Sequence, residues 1–332
     1  MRQPKTLSAF TADQRVAVHR LLAARVAFMM GRKFEEGDWA DVYSTAKGIP
    51  NRGWSNLNID VMHEGLGVEH KMLRSAAEEK LKDLCGTRLM HPAATRSIRV
   101  PSVDGDPNTV MADVIGQYSA LIRERRRKVA EDAGGREPDM RIGWLLWQSS
   151  LREFMYFEQE MLEPDPADYF AEWRDSGGGA RKSSRNLWIF ERDSKLKRYS
   201  VTTAAGAKIQ PYFDVPPPSD PNLYWFRVQG EELESGLIRL WVAASTEREL
   251  RRLLGDISPE KVGLAISSVA AATTETTGEV TVAREDALPI LLDLDSYILL
   301  ATTCPGVSDE HMMQLLLDRL RRLNGSTPEG PQ

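Results

Sequence analysis

The sequence predicts an α/β fold with an additional β-rich region. Apolar residues recur at helical spacing in the first 30 residues and again between residues 108 and 134. Residues 141–148, RIGWLLWQ, form an apolar run of strand length that leads through Ser149-Ser150 into an expected helix. This strand–helix order is typical of an α/β core sheet. After the glycine run at residues 177–179 the chain turns β-rich.

The bulk composition limits the class of protein. The chain has 332 residues, 42% hydrophobic and 27% charged, as in an ordinary globular protein with one large domain or two modest ones. A net charge of -5 does not by itself indicate a nucleic-acid-binding protein. A local basic groove on a chain that is acidic elsewhere is still compatible with DNA binding. Cys85 and Cys304 lack metal-ligand spacing, and no apolar stretch reaches the ~18 residues of a membrane span. We expect a cytoplasmic protein without membrane contact.

Two helices are expected before residue 50. Thr11 and Gln14 have the spacing of a capping box, which predicts that the first helix begins there and continues to about Gly31. A second, shorter helix is expected to begin with Asp38 as its cap. The residues predicted to face the core are Val18, Leu22, Val26 and Met29 on the first helix and Trp39, Val42 and Tyr43 on the second.

A β-hairpin is expected next, followed by helices. Residues 59–63 and 66–73 are predicted strands joined by a turn at Glu64-Gly65. The charged residues 75–84 are predicted to be helical. A longer helix from about Asn108 to Gly134-Gly135 is expected to bury one face. That face carries Met111, Val114, Tyr118 and Leu121.

The second half is predicted to be mainly strands. The predicted strands are residues 186–192, 197–203, 207–213, 223–229 and 237–243, with two more at 278–283 and 296–303. A terminal helix carries Met312, Leu315, Leu316 and Leu320 on one face. We expect a core with N-terminal helices at residues 1–176, and a β-rich region with a C-terminal helix at residues 177–332 that completes the core. The alternative is one single domain, in which residue 177 only divides the core from an insertion.

Three residues of the predicted hairpin, Asp60, Glu69 and Lys71, are expected to lie close together. Because side chains alternate along a strand, Glu69 and Lys71 point to one face and His70 to the other. Pairing of the hairpin places Asp60 near Glu69, so two carboxylates and an amine converge. Carboxylate oxygens are hard ligands suited to Mg²⁺, and a lysine can hold a water molecule or stabilise developing charge.

Asp60 in NID and Glu69-His70-Lys71 in VEHK resemble the motif of the PD-(D/E)xK nuclease superfamily, and within it of type II restriction endonucleases. The resemblance implies a mixed central sheet flanked by helices, Mg²⁺ dependence and double-stranded DNA as substrate. It also implies that Asp60 and Glu69 bind the metal and that Lys71 assists the water. Ile59 stands where the motif often has proline. Many members add an acidic residue from the preceding helix, for which the candidates are Glu35, Glu36, Asp38 and Asp41.

The expected function is therefore a Mg²⁺-dependent, sequence-specific restriction endonuclease. One alternative is a repair or phage-defence nuclease of the same superfamily. Another is a non-catalytic DNA-binding or assembly protein, in which Glu69 and Lys71 form an ordinary solvated strand face. The chain lacks a P-loop and a dinucleotide-binding GxGxxG after a strand, which argues against ATPases and dehydrogenases.

Two basic clusters are candidates for DNA contact. Five cations between residues 123 and 128 end a predicted helix, where the helix dipole also favours positive charge. The second cluster follows the glycine run, and it is either a phosphate-binding loop and hairpin or an ordinary charged surface. The residues of this cluster predicted to bind DNA are Arg181, Lys182, Arg185, Lys195 and Lys197.

A homodimer is expected if the DNA site is palindromic. One active site of this type cuts one strand, so a symmetric double-strand break needs two sites related by a two-fold axis. The apolar face of the terminal helix is a candidate interface. Packing on the chain's own core explains that face equally well.

Overall fold

The computed structural model describes residues 4–29, 33–50, 59–76, 80–92, 98–176, 184–203, 207–271 and 286–324. Within these ranges the chain forms three β-sheets and seven α-helices. This confirms a mixed α/β architecture. In the same ranges, every helix is too short or too polar to cross a membrane.

The elements are numbered here in chain order. The strands are β1 (Thr6–Leu7), β2 (Val61–His63), β3 (Leu66–Ser75), β4 (Arg88–Met90), β5 (Asp139–Gln148), β6 (Glu153–Glu160), β7 (Tyr169–Ser176), β8 (Ser184–Glu191), β9 (Lys197–Thr202), β10 (Lys208–Asp214), β11 (Tyr224–Arg227), β12 (Glu231–Glu232), β13 (Ile238–Ala243) and β14 (Ala287–Leu292). The helices are α1 (Ala12–Ala27), α2 (Glu36–Lys47), α3 (Pro107–Asp132), α4 (Ala244–Leu254), α5 (Pro259–Ala271), α6 (Leu294–Thr303) and α7 (Asp309–Leu323).

The two N-terminal helices are found where local sequence predicts them. The capping box at Thr11 and Gln14 is formed, and α1 starts directly after it. The prediction that Asp38 caps the second helix is wrong by three positions, because Glu35 is the N-cap of α2. Asp38 is instead the third helical residue, and its carboxylate accepts a hydrogen bond of 2.9 Å from the Glu35 backbone N–H.

The central sheet is mixed and has the order β2-β3-β5-β6, with β1 and β11 both pairing with β6. The β2–β3 hairpin and the β5–β6 pair are antiparallel, whereas β3 and β5 are parallel. Parallel neighbours need a crossover connection, and the chain between β3 and β5 includes α3. The turn from β2 to β3 uses Glu64 at φ 50° and Gly65 at φ 92°, the positive angles that a two-residue hairpin turn requires.

Each face of the central sheet is covered by a different layer. One face buries Leu145 and Tyr156 against side chains of α1 and α2 such as Leu22 and Trp39. The other face buries a second set of side chains, with Trp144 and others packed on Phe213 of β10. The sheet is therefore buried on both sides, with α1 and α2 packed on one face and β10 on the other.

The second sheet has the order β4-β10-β9-β8-β7. Its inner face packs on α3, where Val114 and Ile115 contact the side chains of Leu187 and Ile189. Strands β7 and β8 lie on either side of residue 177 and pair with each other, and β11 joins the central sheet. The chain on both sides of residue 177 thus contributes to the same two sheets.

The C-terminal part forms a separate hydrophobic cluster. The three-stranded sheet β12-β13-β14 packs against α4 to α7. The apolar face of α7, including Met313 and Leu316, is buried in this cluster. This apolar face, the candidate dimer interface, is therefore part of the chain's own hydrophobic core.

Three predicted elements differ from the structure. Residues 149–151 turn tightly, with Leu151 at φ 58°, and the chain returns as β6 instead of a helix. Residues 75–84 are not one helix, since β3 extends to Ser75 and a short 3₁₀ turn covers Leu81–Leu84. Residues 296–303 belong to α6 and not to a strand, because the Asp293 side chain caps the helix through the Ser296 backbone N–H at 2.8 Å. The strand predicted at 278–283 lies outside the described residues.

Candidate active site

The β2–β3 hairpin holds Asp60 beside the middle of β3. Val61 pairs with Val68 in the antiparallel hairpin. Asp60, one residue before Val61, therefore lies opposite Glu69, one residue after Val68. The backbone N–H of His70 donates a hydrogen bond of 2.6 Å to Oδ2 of Asp60. The position of this carboxylate is therefore fixed by the backbone of the strand that carries Glu69 and Lys71.

Glu69 and Lys71 lie on the same face of β3, as alternation predicts. Nζ of Lys71 donates a hydrogen bond of 2.6 Å to Oε1 of Glu69. Nη2 of Arg125, from α3, lies 3.1 Å from the other carboxylate oxygen of Glu69. The structure thus brings Asp60, Glu69 and Lys71 together and adds Arg125 to them.

Arg125 is a site residue that sequence reasoning missed. It belongs to the basic run at the end of the predicted helix, where any cation is favoured by the helix dipole. The available signal was its spacing from Tyr118, since seven residues are about two helical turns and share one face. Burial raises the pKa of the Tyr118 phenol, and the charges of Lys71, Glu69 and Arg125 also act on it, so Tyr118 lies near these side chains.

The carboxylate pair fits a divalent cation. Oε2 of Glu69 is buried and accepts no hydrogen bond in the described structure, although Arg125 is near. Asp60 is an exposed residue overall, yet desolvation of its carboxyl, and then the charge of Glu69, raise its pKa to about 7. Among the described residues, no three His, Cys, Asp or Glu side chains form a metal cluster. Mg²⁺ keeps several waters and can be bound by one or two carboxylates, so this pair suits it.

Of the four acidic candidates near α2, Glu36 is the one whose charge acts on Asp60 and raises its pKa. Glu35 is the helix N-cap, and Asp38 accepts its backbone N–H. Asp41 forms an ion pair with Arg25 on α1. Glu36 is therefore the candidate of the four whose charge reaches Asp60.

The charge states of Lys71 and His70 depend on the face of β3 that each side chain occupies. Burial lowers the pKa of Lys71, but the charge and hydrogen bond of Glu69 outweigh it and raise the pKa above its ordinary value. Lys71 is thus an ammonium at neutral pH. On the other face, burial and then the Lys71 charge lower the pKa of His70 to about 3, so that imidazole is neutral among the rings of Trp39 and Tyr43.

Of the five residues predicted to bind DNA, the structure describes three. Arg181 and Lys182 lie outside the described residues. Arg185, on β8, donates to the Val103 carbonyl at 2.9 Å. The other two lie over aromatic rings of the second sheet, Lys195 at 5.0 Å from the Phe170 centroid and Lys197 at 3.3 Å from the Trp188 centroid. Arg185 and Lys197 therefore lie on the second sheet and Lys195 in the turn between β8 and β9, whereas the catalytic candidates lie at the β2–β3 hairpin.

Comparisons of the chain with protein-family models, with curated proteins and with solved structures found no match.

Proposed function

We propose that this chain is a Mg²⁺-dependent endonuclease that hydrolyses phosphodiester bonds of double-stranded DNA. The observation that carries the proposal is the convergence of the Asp60 and Glu69 carboxylates with the Lys71 ammonium at the centre of β3. The mixed sheet with helices on both faces supports a restriction-endonuclease-like core.

Each residue has a role that its environment supports. Asp60 and Glu69 would hold the cation, with Glu69 sharing its two carboxylate oxygens with Lys71 and Arg125, which contact Oε1 and Oε2. When bound, Mg²⁺ would neutralise charge on the phosphoryl group and make a bound water more acidic. Lys71, as an ammonium, would orient the attacking water or stabilise negative charge on the phosphoryl oxygens. Arg125 supplies a second cation on the same side of Glu69.

The finer function that we propose is a sequence-specific type II restriction enzyme acting as a homodimer. A repair or phage-defence nuclease would share the same residues. Digestion of a known genome separates these outcomes, because a restriction enzyme gives discrete fragments and a less specific nuclease gives a smear. A DNA-binding protein without catalysis would retain DNA but leave it intact under all metal conditions.

The decisive test is cleavage of supercoiled plasmid by the purified chain. We expect nicking or linearisation with Mg²⁺, none with EDTA, and none for Glu69→Gln, which keeps the size of the side chain but removes its charge. Glu232→Gln is the matched control, since Glu232 is an exposed carboxylate on β12. Wild-type cleavage by Glu69→Gln, or equal cleavage in EDTA, would overturn the proposal.

A further inference from the structure

A cavity of about 470 Å³ lies between the central and second sheets. Its volume falls within the range of about 300–1,000 Å³ that small-molecule sites occupy. Side chains of β5, β6, β9, β10 and α3 line it. The proposed hydrolysis of DNA does not by itself require a cavity of this kind.

The cavity adjoins the proposed catalytic pair. In the parallel pairing of β3 with β5, Glu69 is next to Ile142 and Lys71 is next to Trp144. Paired residues of neighbouring strands point to the same face of a sheet. Ile142 and Trp144 both line the cavity, as does Tyr118, whose phenol feels the charges of Glu69 and Lys71. A ligand in the cavity would therefore lie beside the catalytic face of β3.

Flat aromatic rings form much of the lining. The rings of Trp144 and Phe213 are stacked, with centroids 3.8 Å apart and an interplanar angle of 13°. Tyr199 lies with its centroid 6.0 Å from Tyr118 and 5.7 Å from Tyr169. All five side chains line the cavity. Such surfaces favour a planar ring system, which can stack on them or meet their edges.

The polar groups of the lining favour an uncharged ligand with hydrogen-bonding edges. The Gln159 amide oxygen accepts a hydrogen bond of 3.1 Å from Nε1 of Trp144, which leaves the amide N–H groups of Gln159 as donors. The guanidinium groups of Arg88 and Arg198 both bind Asp214, at 2.6 and 2.8 Å. Arg198 also pairs with Glu191 at 3.3 Å, and Glu160 and Asp220 add carboxylates to the lining. Because carboxylates outnumber the two cations, the cavity is poorly suited to a phosphate.

The geometry points to a nucleobase as the ligand of this cavity. A base is planar and uncharged and carries donors and acceptors on its edge. Two sources supply this chemistry, namely a base extruded from DNA and a free nucleoside. The first source rests on the proposed function, and it would place the sugar-phosphate of the extruded nucleotide on the side of Lys71. Enzymes that extrude a base read it by stacking and by hydrogen bonds to its edge, which are the two features found here.

The first experiment measures binding of the four nucleosides, without metal and with EDTA, by quenching of tryptophan fluorescence. We expect saturable binding of at least one nucleoside to the wild type. Gln159→Leu removes the amide donors, and Leu162→Trp adds bulk at a half-buried residue of the lining. Each should weaken binding at least tenfold. Leu294→Trp is the matched control at an exposed leucine on α6 and should bind as the wild type does.

The second experiment distinguishes the two sources. A duplex carrying 2-aminopurine opposite an abasic position, where extrusion costs least, is titrated with the protein in EDTA. A change in 2-aminopurine emission that Leu162→Trp abolishes identifies a base taken from DNA. Nucleoside binding without that change identifies a free nucleoside. If neither signal appears, the cavity is not a nucleobase site. Binding in a chain that never cleaves plasmid would support this inference and refute the nuclease assignment.

Discussion

The backbone N–H of His70 donates a hydrogen bond of 2.6 Å to Oδ2 of Asp60, which joins the two strands of the hairpin at the candidate site. The His70 side chain lies on the opposite face of β3, against Trp39 and Tyr43 of α2. The same residue thus anchors the site through its backbone and the hydrophobic core through its side chain. Glu69 is held within β3, and the His70 hydrogen bond fixes Asp60, the residue before β2, against that strand.

Lys71→Ala should abolish cleavage while leaving DNA binding largely intact. In the proposed site Lys71 acts on the water or the phosphoryl charge as a cation, and loss of one such charge-stabilising donor commonly costs about 10²–10³ in rate. Asp60→Ala should lose activity and also weaken Mg²⁺ binding, because it removes a ligand. Plasmid cleavage, gel-shift binding and Mg²⁺ titration measure the three effects. Lys261→Ala on α5 is the matched control, and wild-type turnover by either site variant would refute the assignment.

Stability should fall as pH rises from about 4 to 7 because of Asp309. Burial raises the pKa of this carboxyl to about 7, against opposing effects that include the Gly230 N–H bond and the charges of Arg152 and Arg227. The folded state binds the proton more tightly than the unfolded state does, so stability present at low pH is lost as pH rises towards 7. The loss approaches about 1.4 kcal/mol per pH unit over this window.

Urea unfolding at pH 5 and pH 7.5 checks the Asp309 prediction. Asp309→Asn cannot ionise, so its free energy of unfolding should change less between the two pH values than that of the wild type. An identical pH dependence in both chains would show that another group is responsible.

Glu158→Ala should destabilise the fold strongly. Glu158 is 0% exposed and accepts hydrogen bonds from Tyr43 at 2.8 Å and Tyr156 at 2.9 Å. It also pairs with Arg141 at 2.8 Å. Removing one partner of a buried ion pair costs about 3–5 kcal/mol. Glu163→Ala, at an exposed carboxylate, should cost about 0–1 kcal/mol. Chemical denaturation measures both, and a similar small effect in the two variants would contradict the prediction.

Neutralising Arg181, Lys182 and Arg185 together should weaken DNA binding and flatten its salt dependence. Each cation that no longer neutralises a phosphate lowers the slope of log affinity against log salt by about 0.9. Gel-shift titrations at several salt concentrations measure this slope. The matched control neutralises Arg251, Arg252 and Lys261, which lie on α4 and α5. An unchanged slope in the first variant would mean that this cluster does not bind phosphates.

The chain should form a homodimer if it cuts both strands of a palindrome. Light scattering, alone and with DNA in the absence of Mg²⁺, should give about twice the chain mass of 37.3 kDa. Because the apolar face of α7 is buried in the chain's own core, substitutions there should unfold the protein before they affect assembly. A monomer in both conditions, combined with efficient double-strand cutting, would instead indicate sequential nicking.

Short-range sequence features predicted their structures well. The capping box of Thr11, the long helix before Gly134 and the hairpin turn at Glu64-Gly65 depend on residues within a few positions of one another. Alternation along β3 also put Glu69 and Lys71 on one face. For the same reason the sequence predicts that Asp60, Glu69 and Lys71 lie close together, because one hairpin carries all three.

The tertiary structure decided what depends on distant parts of the chain. A short apolar run such as residues 296–303 fits a strand or a helix, and its partners select between them. Arg125 reaches Glu69 only because α3 crosses from β3 to the parallel strand β5. The cavity beside Lys71 likewise needs two sheets that meet across Trp144 and Phe213, residues 69 positions apart. The hairpin brings the candidate site residues together locally, whereas packing between layers specifies what surrounds them.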